Sequence, residues 1–135
     1  VATDLMHGAD VVIKRALEMA KLMGADLHLL HVVEPLPGYG YAFIGSAEIE
    51  VELVNESKKQ LAKLGQKHAI AEKNLHVEIG PTKVEIIRIA EDQKADLIVV
   101  GSHGKSGFSA LLGSTANAVV HSAKCDVLTV RLKEK

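Results

Sequence analysis

A chain of 135 residues that is 47% hydrophobic is long enough to bury one sizeable core. Its 16 basic side chains against 17 acidic ones exclude a disordered segment and offer DNA or RNA no basic footprint. Aromatic residues make up only 3% and Trp is absent, so bases find few stacking platforms and aliphatic packing must carry the fold.

The first four residues, Val1-Ala2-Thr3-Asp4, read as the end of a strand, and several residues of that strand are expected to precede this numbering. Val12, Ala16, Met19, Ala20 and Met23 recur at helical period and predict a first helix. The run Leu27 to Val33 is mostly apolar rather than alternating, the pattern of a strand buried on both faces. The connection that follows, EPLPGYGYAFIGS over 34–46, holds Tyr39, Tyr41 and Phe43. It is either a lid over a ligand or a connector whose aromatics pack locally or on a partner.

Ile49, Leu53, Leu61 and Leu64 predict a longer second helix. Leu75 to Ile79 alternates, as a strand nearer a sheet edge does. Gly80-Pro81 then opens a third helix through Ile86, Ile89 and Ala90 to Ala95. Leu97 to Val100 is a second fully apolar strand. A clean stripe of Leu112, Thr115, Ala116, Val119, Val120 and Ala123 predicts the fourth helix, and Val127 to Val130 the last strand. The order βαβαβαβαβ, with connections long enough for right-handed crossovers, predicts an α/β, doubly wound, Rossmann-like five-stranded parallel sheet with four helices, one domain over residues 1–135.

The stretch Gly101-Ser102-His103-Gly104-Lys105-Ser106-Gly107 contains the GKS that ends a P-loop. A P-loop needs a glycine five residues before Gly104, and Val99 stands there inside the strand. The dinucleotide fingerprint fails as well, since the glycines fall at 101, 104 and 107. The location is nevertheless favourable. Ligands of open α/β sheets bind beyond the carboxyl ends of strands, and Gly101 is expected as the first residue past one. Gly101 and Gly104 allow positive φ and close approach to a ligand.

Gly113-Ser114-Thr115 opens the last helix, where unpaired N–H groups, a positive dipole end and two hydroxyls suit phosphate. The dipole supplies about 0.3 to 1 kcal/mol, up to ~2 when partly buried, against about −8 kcal/mol for micromolar binding. Several donors must therefore converge. The alternative is that the glycines and a capping Ser114 merely join a strand to a helix.

Gly101-x2-Gly104, a short spacer, then Gly113-Ser114, after ADLIVV and before ANAVVHSAKCDVLTVR, resembles the universal stress protein family. HVVEP at 31–35, Asp4 and VEIIRIAEDQKADLIVVGSHG at 84–104 fall where that family places them, so the resemblance covers the chain. It points to the UspA-like, nucleotide-binding subgroup. It implies strand order 3-2-1-4-5, a cytoplasmic homodimer, and ATP or another adenine nucleotide, with or without Mg, held across the carboxyl ends of strands 1 and 4. Ala2, Thr3, Asp4 and the backbone of Val32 would meet the adenine end. Val100, Gly101, His103, Gly104 and Lys105 would flank ribose and phosphates, and Gly113, Ser114 and Thr115 would close on the phosphate tail. The spacer Lys105 to Leu112 is one residue shorter than the family's signature.

His103 is equally read as a surface histidine, and Lys105 as a solvated lysine rather than a phosphate counter-charge. His28 and His31 lie three apart in a strand and point to opposite faces, so they share no metal. No metal site is expected among the seven histidines. Cys125, the one cysteine, is expected to be an inert, partly buried thiol, and no leader or membrane-spanning run is seen. Val127 to Val130 would be an apolar edge strand suited to joining a dimer. The expected function is a stress or energy-state regulator that binds nucleotide and is not an enzyme. Slow ATP hydrolysis and a dimeric interaction protein without nucleotide are the alternatives, and the protein partner is unknown.

Overall fold

A computed structural model describes residues 1–6, 8–35, 46–102 and 113–132. Helix α1 spans Ala9–Met23, α2 Ser46–Lys67, α3 Thr82–Asp92 and α4 Ser114–Ser122. They alternate with strands β1 Leu29–Val33, β2 Leu75–Ile79, β3 Leu97–Gly101 and β4 Asp126–Val130. β1 pairs in parallel with β2 from Leu29↔Leu75 to Val33↔Ile79, and β3 with β4 from Leu97↔Asp126 to Gly101↔Val130.

Residues 1–3 join the two pairs. Ala2 bridges Leu30 in parallel, the Leu30 amide donates to the Val1 carbonyl (2.9 Å), the Thr3 amide to the Leu30 carbonyl (2.8 Å), and the Ala2 amide to the Val99 carbonyl (3.0 Å). The spatial order is β2, β1, residues 1–3, β3, β4, which is the expected order. Its central line is one bridge long, in keeping with the reading of Val1 to Asp4 as only the end of a strand.

Burial explains why the central strands lack alternation. All five β1 residues are buried. Leu29 packs with Ile13 of α1 and Leu61 of α2 on one face. Leu30 and Val32 pack on the other with Ile86 of α3, Ile98, Val100, and Ala116 and Val119 of α4. Val12 and Ala16 of α1 meet Val99 and Val130. Each such aliphatic side chain contributes about 1.5–3 kcal/mol on burial. Among the described residues β2 pairs with β1 alone and leaves Ile79 exposed, the edge that its alternation predicted.

Three expectations shift. β1 begins at Leu29 rather than Leu27. α3 stops at Asp92 rather than Ala95, because Lys94 adopts φ 53° and breaks the helical path. Ile49 and Leu53 of α2 are 47% and 39% exposed, and Val120 of α4 is 46% exposed. Helical period alone cannot say how far along a helix the sheet extends beneath it. Tyr39, Tyr41 and Phe43 lie outside the described residues, and so does the choice between lid and connector.

Candidate functional site

At the carboxyl edge of the sheet the chain leaves the central line. The Thr3 hydroxyl accepts the Leu5 amide (3.1 Å) and one oxygen of the Asp4 carboxylate accepts the Met6 amide (2.9 Å). Two successive side-chain turns of this kind bend the backbone out of a sheet. His31, buried in β1, fixes the exit: its Nδ1 lies 2.8 Å from the Thr3 carbonyl. A carbonyl only accepts, so Nδ1 carries the proton.

That exit leaves a notch between β1 and β3. Leu30 directs both its N–H and C=O toward residues 1–3. Strand groups repeat every second residue, so those of Val32 point the same way, one step beyond the place where the chain turned off. The Thr3 carbonyl, which a continuing strand would offer to the Val32 amide, is bonded to His31 instead. Among the described residues the N–H and C=O of Val32 have no backbone partner on that side. By the same repeat Gly101 faces the notch from β3, since the Val99 carbonyl already faces Ala2.

The other wall begins at Ser102. This buried serine donates its amide to the Val130 carbonyl (2.8 Å), accepts the Leu132 amide on Oγ (2.9 Å), and accepts the Gly113 amide on its carbonyl (2.7 Å). The chain therefore re-enters at Gly113 pinned against the end of β3. Gly113 is the N-cap of α4 with φ −58° and ψ 154°, and its carbonyl accepts the Asn117 amide (2.9 Å). The amides of Ser114, Thr115 and Ala116 are the first-turn donors that a helix leaves unpaired, and they have no partner among the described residues. Ser114 is exposed and Thr115 half-buried.

These positions refine the expected site. Asp4 follows Thr3 where the chain leaves the sheet, Val32 and Gly101 face the gap between β1 and β3 from its two sides, and Ser114 and Thr115 open α4 next to Gly113, which is bonded to Ser102. The Ala2 side chain packs against the cluster that includes Ile86 of α3 and Ala116 of α4, and Val100 is buried in that cluster. Gly101 is the last residue of β3, extended opposite Val130, rather than the first residue past the strand. Ser114 is not the cap; Gly113 is, and its amide is engaged by Ser102. His103, Gly104, Lys105 and the spacer Lys105 to Leu112 lie outside the described residues.

Ser102 and His31 are the residues that pattern reading missed. A lone polar residue at or just past the end of an apolar run was the available signal. Near the rim, Glu34 accepts the Thr82 amide (3.3 Å) and hydroxyl at the start of α3.

Elsewhere, His28 stacks on His76, with ring centroids 5.1 Å apart and Nδ1 2.9 Å from Nε2. Burial, then the neighbouring His28, pushes the His76 imidazole below its usual range. Burial, then Asp126 and Asp96, pushes the half-buried Cys125 thiol up, away from the reactive thiolate. Among the described residues no cluster of three or more His, Cys, Asp or Glu is placed to hold a metal, and no helix is long and apolar enough to cross a membrane. The notch offers fixed neutral donors and acceptors beside one carboxylate, an arrangement suited to recognition.

Comparison with known proteins agrees with this architecture. The chain is 43% identical over 124 residues to universal stress protein A homolog 2 of Coxiella burnetii, covering 90% of the chain and 85% of that protein. The fold superposes on the structure of protein MJ0577 of Methanocaldococcus jannaschii with a TM-score of 0.83 at 26% identity, covering 99% of this chain and 94% of that one. It superposes on a universal stress protein in complex with cAMP with a TM-score of 0.62 at 26% identity, covering 97% and 93% of the two chains. The profile of the universal stress protein family matches residues 1–131, and the chain belongs to that family.

Proposed function

We propose that this universal stress protein binds an adenine nucleotide in the carboxyl-edge notch and acts as a regulator whose occupancy follows the energy or stress state. The observation that carries the reading is that, among the described residues, the N–H and C=O of Val32 on the side of residues 1–3 and the first-turn amides of α4 have no backbone partner. Adenine presents an amino donor next to a ring-nitrogen acceptor, which complements one backbone N–H and one C=O. Asp4 stands at the same end. Gly101 has no side chain to keep ribose away from β3. The amides and hydroxyls of Ser114 and Thr115, joined by the Ala116 amide, take the phosphate end at a helix N-terminus. Gly113 contributes its small size and the direction of the helix, because its own amide is engaged. A relative of the same fold forms a complex with cAMP, which supports an adenine ligand here.

The protein acts by binding rather than as an enzyme, in the cytoplasm, with β4 as the edge along which two copies would pair. To test the reading, the purified protein is denatured and the supernatant examined for released nucleotide, and refolded protein is titrated calorimetrically with ATP, ADP, AMP and cAMP, with and without Mg. Binding of at least one is expected. No retained nucleotide and no heat at about millimolar ligand, a weak limit near −4 kcal/mol, overturns it and leaves an interaction protein without nucleotide.

Gly113→Val sharpens the placement. The backbone there, φ −58° and ψ 154°, is open to valine, so the fold is expected to survive while the two added methyls crowd the phosphates. Unchanged ATP affinity in a folded variant would refute the phosphate placement.

A further inference from the structure

Two side-chain hydrogen bonds account for both open groups of Val32. In a parallel ladder continued past Leu30, the Thr3 carbonyl would accept the Val32 amide, and the Leu5 amide would donate to the Val32 carbonyl. Each of these partners is taken. The Thr3 carbonyl lies 2.8 Å from Nδ1 of His31, and the Leu5 amide donates to Oγ1 of Thr3 at 3.1 Å. Leu5 itself adopts φ 61°, a left-handed conformation that a bulky side chain rarely takes. The backbone is therefore held out of the ladder against its own preference.

The diversion takes place where an open group is costly. Thr3, His31 and Val32 are 9%, 9% and 8% exposed, and buried main-chain groups are nearly always paired. A frayed strand end would let water satisfy Val32; this end stays buried. Among the described residues its donor and acceptor have no backbone partner on the side of residues 1–3. The imidazole and the hydroxyl satisfy the departing chain locally, so that it makes no claim on Val32. What remains is one fixed N–H beside one fixed C=O, a pair that the edge of a planar heterocycle with an acceptor next to a donor would complete.

We infer that Thr3 and His31 are positioning residues: by occupying the Leu5 amide and the Thr3 carbonyl, they hold the donor and acceptor of Val32 open for the edge of a ligand's ring. Only the identity of that ligand, the adenine base, rests on the nucleotide reading above. Neither side chain has to touch it. His31 acts from within β1 and Thr3 from its own turn, each through a main-chain group that would otherwise close the site.

The test begins without nucleotide, by amide hydrogen exchange on the 135-residue chain. His31→Leu releases the Thr3 carbonyl to the Val32 amide, whose exchange is expected to slow at least about tenfold, with the Leu30 amide as internal reference. His31→Asn, whose Nδ2 stands near the place of Nδ1, is expected to keep the wild-type rate. Thr3→Val hands the Leu5 amide to the Val32 carbonyl and is expected to slow exchange at Leu5, while Thr3→Ser leaves it unchanged. A merely structural turn predicts the opposite sign, faster exchange at Leu5 once the hydroxyl is gone. Faster exchange there, or unchanged exchange at Val32 in folded His31→Leu, overturns the inference; if His31→Leu does not fold, the Thr3 pair decides. ATP is then titrated. His31→Leu and Thr3→Val are expected to weaken it at least about tenfold, roughly one hydrogen bond, and the two conservative variants to restore it. Full ATP affinity in both closing variants overturns the inference while the nucleotide reading stands. A wild type that binds no ATP, with Val32 exchange slowed in His31→Leu, overturns the nucleotide reading and supports the positioning of Val32.

Discussion

The two ends of the gap between β1 and β3 are built from the same strands and behave oppositely. At the carboxyl end, the departing chain is held by side-chain hydrogen bonds. Thr3 caps Leu5, Asp4 caps Met6, and His31 holds the Thr3 carbonyl. At the amino end, the walls are aliphatic and one buried amine meets one carbonyl. One split in the sheet therefore has a polar edge and an apolar edge, and the difference lies in which groups line it.

The largest effect expected from this contrast is Leu29→Ala against Leu30→Ala. Leu29 is 0% exposed between Ile13 and Leu61, so its truncation should cost about 3–5 kcal/mol. Leu30 borders the gap and lacks neighbours on that side, so its truncation should cost less, about 2–3 kcal/mol by urea unfolding. The reverse order would break the contrast.

The second effect is pH dependence. Burial, then the neighbouring His28, holds His76 below its ordinary 6.5, so the folded chain binds fewer protons there and stability rises with pH, the share being lost as pH falls below 6.5. His76→Gln should flatten that part of the profile in urea unfolding; an unaltered profile would show that the imidazole is solvated.

A smaller effect belongs to the carboxyl end. Ser102→Ala removes the acceptor of the Leu132 amide and should cost about 1–2 kcal/mol, with the Gly113 amide still bonded to the backbone carbonyl. The smallest lies away from both ends. Lys67 first, then His68, hold the Asp10 carboxyl below its ordinary 3.8. Asp10→Asn should cost about 1 kcal/mol or less. The wild-type share is present above 3.8 and lost as pH falls through the lowered value.

The central strands were legible because burial on both faces leaves an uninterrupted apolar run, as in Leu29 to Val33. The start of α4 was legible because glycine before two hydroxyl residues marks a helix entry. Ends were less so, since Leu27 is as apolar as Leu29 and only pairing distinguishes them. Exposure of Ile49 and Leu53 depends on where the sheet ends beneath α2. The Val32 backbone entered only through family resemblance, because a backbone group left unpaired by a distant turn has no signature in its own residue type. The roles of Ser102 and His31 were illegible for the same reason: each depends on a partner about 28–30 positions away.

The clasp at Ser102 sets where α4 begins relative to the sheet: the bond from Gly113 ties the helix entry to the end of β3, and Ser102 is in turn tied to Val130 and Leu132 at the end of β4. One serine therefore couples the ends of two strands to the start of a helix, so a disturbance of any one of the three reaches the other two.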